Sequence, residues 1–144
     1  AISLAERQHF NHIYFSFKNK AVAFDHFLES FNLKPEEVAF CFDDVLDFPI
    51  ARKCGLRFMI GRKGSPLLKK YAIANQYCDY ITGQAGGEFG VREVSELILG
   101  LLGQFEMAIK ERTDFSTLYS DYLTQRNRPI VRKFVSENDS IVEQ

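Results

Sequence analysis

The stretch Val38-Ala39-Phe40-Cys41-Phe42-Asp43-Asp44-Val45-Leu46-Asp47 runs an apolar segment straight into three carboxylates. Carboxylates gathered at the end of an apolar strand are unfavourable without a cation, because a charge that leaves water must find a partner. Asp43 and Asp44 at the strand end, with Asp47 one turn further on, bring several carboxylate oxygens towards one point. A hard octahedral ion such as Mg²⁺ takes such donors. A purely structural role competes on the same residues: Asp43 or Asp44 can cap the helix that begins near Leu46.

The elements that must position these carboxylates follow from the pattern around them. Aromatic and β-branched runs predict strands over residues 12–17, 38–42, 57–60 and 77–82. Residues 20–32 carry Val22, Phe24, Phe27, Leu28 and Phe31 near helical spacing, which predicts an amphipathic helix packed on a sheet. A short helix is expected over 47–54, with Pro49 in its first turn and Gly55 as a left-handed cap. Ser65-Pro66 opens another, with serine as N-cap. Strand and helix in alternation predict a parallel sheet with crossover helices, whose active sites lie at the carboxyl ends of the strands. Beyond this core, one long helix is expected from Val91 to about Arg112, and an amphipathic helix over 114–125 shows Phe115, Leu118, Tyr119 and Tyr122 on one face. The polar residues 127–144 predict an extended arm or a partly disordered end, and residues 1–10 a leading helix.

Composition bounds the class. With 144 residues, 46% hydrophobic and 26% charged, the chain has the profile of one soluble globular domain. Eighteen Lys and Arg against nineteen Asp and Glu leave a net charge of -1, so no broad basic field draws it to nucleic acid or anionic lipid, and an anion site must be local. Cys41, Cys54 and Cys78 form no CxxC pair and lie in or beside apolar runs, as small buried hydrophobes do. No apolar run is long enough to span a bilayer and no signal-peptide pattern opens the chain, which predicts a cytoplasmic protein.

Order along the chain adds a further layer. A strand ends near Lys18-Asn19-Lys20, an amphipathic helix follows, Leu33-Lys34-Pro35-Glu36-Glu37-Val38 leads into the acidic strand end, and Gly86-Gly87-Glu88-Phe89-Gly90-Val91-Arg92-Glu93-Val94 comes later. This order resembles the second half of the haloacid-dehalogenase-type (HAD) phosphatase core, over roughly residues 13–102. The family's third motif, a lysine at the start of a helix, matches Lys20, and its fourth, Gly-Asp-Asp-x-x-Asp, matches Phe42 to Asp47. The glycine-rich segment resembles the Gly-Gly-Arg-Gly-Ala-Val-Arg-Glu-Val of the branch that acts on 3-deoxy-D-manno-octulosonate 8-phosphate and related sugar-acid phosphates.

The resemblance implies an α/β fold, a HAD-like Rossmannoid three-layer α/β/α core with a parallel sheet. That core would lack its first strands and occupy residues 1–104, with a helical extension and C-terminal arm over 105–144. It implies a Mg²⁺-dependent phosphomonoester hydrolase for a small phosphorylated metabolite, with neither nucleic acid nor membrane as partner. Asp43 and Asp44 would serve the metal, Asp47 would orient Lys20, Lys20 would neutralise the transferring phosphoryl group, and Gly86, Gly87 and Arg92 would approach the substrate. A homo-oligomer, a tetramer by resemblance, is also implied. The family keeps its nucleophile in an Asp-x-Asp strand ahead of the lysine motif. No such motif precedes Lys20, so this chain alone is expected to be inactive, the aspartate coming from a longer parent protein or from another chain. Phe42 replaces the family's glycine and is expected to crowd the metal motif, while Glu88 and Phe89 replace Arg-Gly. The alternative is a non-catalytic HAD-like module with a binding, regulatory or assembly role.

Overall fold

Side chains alternate across a strand, so each strand segment can offer one apolar row to each face of a sheet. The computed structural model describes residues 2–137 and 140–144 and realises that pattern. In chain order the elements are α1 (Ile2–Arg7), β1 (His12–Phe15), α2 (Lys20–Phe31), β2 (Ala39–Phe42), α3 (Phe48–Ala51), β3 (Leu56–Gly61), α4 (Pro66–Ala74), β4 (Tyr80–Ala85), α5 (Gly90–Leu101), α6 (Phe105–Thr113), α7 (Thr117–Arg126), β5 (Arg132–Glu137) and β6 (Ser140–Glu143). They divide into two compact units, Asn19–Leu102 and Ala1–Lys18 with Gly103–Gln144.

In Asn19–Leu102, β2, β3 and β4 form a parallel sheet in that order, with Cys41 opposite Phe58 and Phe58 opposite Tyr80. One face carries Phe40, Phe42, Met59 and Ile81 against Phe48 and Ala51 of α3, Ala72 of α4, and Tyr77. Phe24 and Leu28 of α2 join Ile50 and Cys54 beside Phe40. The other face carries Cys41, Phe58 and Ile60 under Val94, Leu97 and Ile98 of α5. Three layers result, as the alternation of strand and helix predicts, and each buried aromatic or aliphatic side chain contributes on the order of 2 kcal/mol.

Phe42 is 3% exposed and belongs to this core, with its ring 5.9 Å from that of Phe48. The expectation that it crowds the metal motif is therefore corrected: its place in the strand alternation sends the ring under α3. Gly55 is not a left-handed cap either. A Cβ there would come within 1.9 Å of the Glu36 carbonyl oxygen, so close approach of two backbones excludes a side chain. The three cysteines are free thiols, and burial pushes Cys54 up to about 11, which keeps it neutral.

The second unit joins residues from both ends of the chain. β1 pairs in parallel with β5, with His12 opposite Arg132, and β5 pairs antiparallel with β6. Phe134 and Val135 are buried, and Lys133 reaches Glu6 at 2.8 Å. The tail read from sequence as an arm is thus two strands within its described residues, because the backbone of β1 offers β5 a partner that local sequence cannot reveal. The single long helix expected from Val91 is two, α5 and α6, separated at Gly103 with a positive φ of 66°. In the leading helix, Ala1 lies outside the described residues and α1 stops at Arg7. Among the described residues, no helix is long and apolar enough to cross a membrane.

Candidate active site

Parallel strands in register end along one edge of their sheet, so the segments that follow β2, β3 and β4 emerge together. After β2 come Asp43 and Asp44, then a 3₁₀ turn over Val45–Asp47 that leads into α3. Asp44 is the N-cap of that turn: its side chain accepts from the Leu46 N–H at 2.9 Å. The capping role weighed for the aspartates thus falls to Asp44, whose other oxygen lies 3.9 Å from Arg62 Nη1. The turn carries Asp47 back under the strand end, where one oxygen accepts from the Asp44 N–H at 3.3 Å.

The other Asp47 oxygen takes the ammonium of Lys20 at 2.6 Å. Lys20 is the first residue of α2, a place where the helix dipole disfavours a cation, and Asn19 caps the same end by accepting from the Ala21 N–H. Asp47 is only 6% exposed, and a carboxylate so buried requires a charged or hydrogen-bonding partner. Each group answers the other's cost. The lysine and the last aspartate of the acidic stretch, 27 positions apart, are thereby brought together.

Asp43 and Asp44 are more open, with side chains 45% and 42% exposed. Arg62, next after the end of β3, spans both: Nε lies 3.3 Å from Asp43 Oδ2, and Nη1 donates to the Asp43 carbonyl at 3.3 Å. Sequence reasoning missed Arg62. Its signal was its place directly after a strand of the parallel sheet, where site residues collect. Among the described residues, no group of three or more His, Cys, Asp or Glu side chains forms a complete metal cluster.

Beyond β4, Gly87 has a positive φ of 80° and Phe89 one of 68°. The glycine of the resembled pattern stands where Phe89 is, and here the next residue is the glycine. Gly90 is needed for space: a Cβ there would meet the Gln84 carbonyl and Ile60 Cγ2 at 2.9 Å. Gly86 is freer, with Ile60 Cγ2 at 3.9 Å. Arg92 lies over the ring of Phe89, 4.9 Å from its centroid, and no ion pair joins it to the acidic stretch among the described residues. Glu88 faces Lys63 at 3.5 Å.

Glu93, part of the glycine-rich segment but given no role by the resemblance, ties this loop to its helix. One oxygen accepts from the Gly83 N–H at 2.9 Å and from the Tyr80 hydroxyl, the other from the Gln84 N–H at 2.9 Å. Those donors, the Gly83 amide first and then the Tyr80 hydroxyl and Gln84 amide, hold its carboxyl below the usual glutamate range. Thr82 is buried and adds a second tie, accepting from the Gly61 N–H and donating to the Gln84 carbonyl where the β3–β4 register shifts.

Known proteins resemble this chain in sequence and fold. The 3-deoxy-D-manno-octulosonate 8-phosphate phosphatase of Escherichia coli K12 is 38% identical over 97 residues, 67% of this chain and 48% of that protein. The Yersinia pestis phosphatase of the same name is 34% identical over 88 residues, 61% of this chain and 43% of that protein. A solved structure of a probable yrbi family phosphatase from Pseudomonas syringae superposes with a TM-score of 0.56 at 31% identity, covering 67% of this chain and 51% of that one. The cobalt-bound form of the deoxy-D-mannose-octulosonate 8-phosphate phosphatase from Haemophilus influenzae gives 0.50 at 25% identity, covering 60% and 45%. No family model matches the chain.

The three-layer parallel core and these likenesses make the chain a homologue of the HAD-type phosphatases. Its relatives among them are the phosphatases of 3-deoxy-D-manno-octulosonate 8-phosphate. The chain spans about half the length of the curated relatives it matches.

Proposed function

We propose that this chain is part of a Mg²⁺-dependent phosphomonoester hydrolase whose substrate is a small phosphorylated metabolite, a sugar-acid phosphate. The observation that carries the reading is the 2.6 Å pair between Lys20 and Asp47 beside Asp43 and Asp44. It unites the two motifs that the resemblance assigns to phosphate and metal. The names of the relatives supply the substrate class, and the cobalt in one of them supports a divalent metal.

Asp43 and Asp44 offer only hard oxygen donors, both partly exposed, which fits Mg²⁺. Mg²⁺ is commonly held by one or two carboxylates, with water and substrate phosphate completing its six ligands. When bound, the dication supplies neutralisation of the phosphoryl oxygens. Lys20 would hydrogen-bond one of those oxygens, with Asp47 holding its ammonium in place. Gly86 and Gly87 would let the backbone approach the substrate, and Arg92 would meet its anionic end. The resemblance gives the phosphoryl-accepting aspartate to a motif outside those matched here. A homo-oligomer working in the cytoplasm completes the proposal, and a monomer by light scattering would count against the assembly.

The test is p-nitrophenyl phosphate hydrolysis by the full-length natural protein, with and without Mg²⁺. Turnover that requires the ion, and a loss of Mg²⁺ affinity of about tenfold or more in Asp43→Asn, are expected. Unchanged affinity by calorimetry would refute the role of Asp43.

A further inference from the structure

Asp43, Asp44 and Arg62 lie beside the Lys20–Asp47 pair in the open part of the site. Lys20 is engaged by Asp47, and the second Asp47 oxygen is taken by the Asp44 amide. Asp43 and Asp44 are left with Arg62 alone as the cation paired to them among the described residues. That guanidinium sits against both carboxylates through Nε and Nη1, and its Nη2 end makes no hydrogen bond among the described residues. Arg62 is itself 46% exposed, and ion pairs between groups this open hold weakly. A dication competing for the same oxygens has twice the charge and a smaller radius, so it would displace the arginine.

Once displaced, the guanidinium has nowhere better to go than an anion. It is tethered to the strand end next to the acidic stretch, and its planar fork matches two oxygens of a phosphate or carboxylate. Gly61, immediately before it, is fixed by its N–H to the buried Thr82 hydroxyl at 2.8 Å, so the side chain swings from a held base.

We propose that Arg62 is the placeholder and the anion-binding residue of the site. It pairs with Asp43 and Asp44 and would turn to an oxygen of the substrate's anionic group on competition from the metal. This rests on the reading of Asp43 and Asp44 as the divalent-cation site. It predicts that one substitution moves two affinities in opposite directions, which a residue of purely structural importance would not do.

Calorimetry on the full-length protein tests it, with Mg²⁺ alone and then with inorganic phosphate in the presence of saturating Mg²⁺. Arg62→Gln, with its melting temperature checked against the unsubstituted protein, should bind Mg²⁺ about two- to fivefold more tightly at low salt, because a weak competitor is gone. The same variant should bind phosphate about tenfold more weakly, the loss of a charge-assisted pair. Mg²⁺ affinity that is unchanged or weaker, or phosphate affinity that is unchanged, overturns the proposal while Asp43→Asn still abolishes tight Mg²⁺ binding. No Mg²⁺ binding by the unsubstituted protein overturns the metal-site reading, and this inference with it.

Discussion

Lys20 and Asp47 show how much a single pair can depend on being a pair. The carboxylate is nearly buried while the ammonium is half open, so the two substitutions are not equivalent. Lys20→Met strands a buried charge and should lower stability by about 1–3 kcal/mol, read as a shift in the urea midpoint at constant slope. Asp47→Asn leaves the lysine free to turn to water and should lower stability less. A Lys20→Met protein as stable as the unsubstituted one would mean that water already satisfies Asp47. The acidic stretch was legible in the sequence because three aspartates at the end of an apolar run are unusual. Arg62 was not, because one arginine in a polar loop has no pattern of its own. Its partners are set by strand register.

At the scale of elements, the parallel sheet and its helices were legible from period alone, since apolar rows at period two and at about 3.6 are the marks of half-buried strands and helices. What period could not supply was the reason for particular glycines. Gly55 is set by the backbone of Glu36, and Gly90 by the Ile60 side chain together with the nearby carbonyls of Gln84 and Ala85. Nothing near Gly55 in the chain points to Glu36 in that role. Gly90→Ala should therefore cost about 1–3 kcal/mol, the range for overpacking, although alanine is normally the better helix residue. Equilibrium unfolding would show it, and a gain in stability would mean that the end of α5 shifts freely. The strands of the tail were hidden for the same reason. β5 is made by a partner far away in sequence, β6 adds to β5, and the composition of both is polar.

For the molecule as a whole, acid stability follows from carboxylates that the fold holds in their charged form. Glu93 is lowered by the Gly83 amide and its other donors, and Asp79 by hydrogen bonding to Arg57. A lowered carboxyl contributes stability that is complete above its ordinary value and is lost as pH falls through the lowered one. Glu93→Gln should accordingly melt below the unsubstituted protein at neutral pH, with the gap closing as the solution is acidified beneath the ordinary glutamate range. A gap that stays constant with pH would assign the effect to packing.

The pairing of His12 with Arg132 also bears on how the protein is made. Residues Asn19–Leu102 form a contiguous stretch that can gather its sheet as soon as it leaves the ribosome. The sheet of β1, β5 and β6 has to wait until synthesis reaches the far end, and closing so long a loop is entropically slow. During refolding, amides of β3 should gain protection from hydrogen exchange before those of β1. The reverse order would show that the ends find each other first.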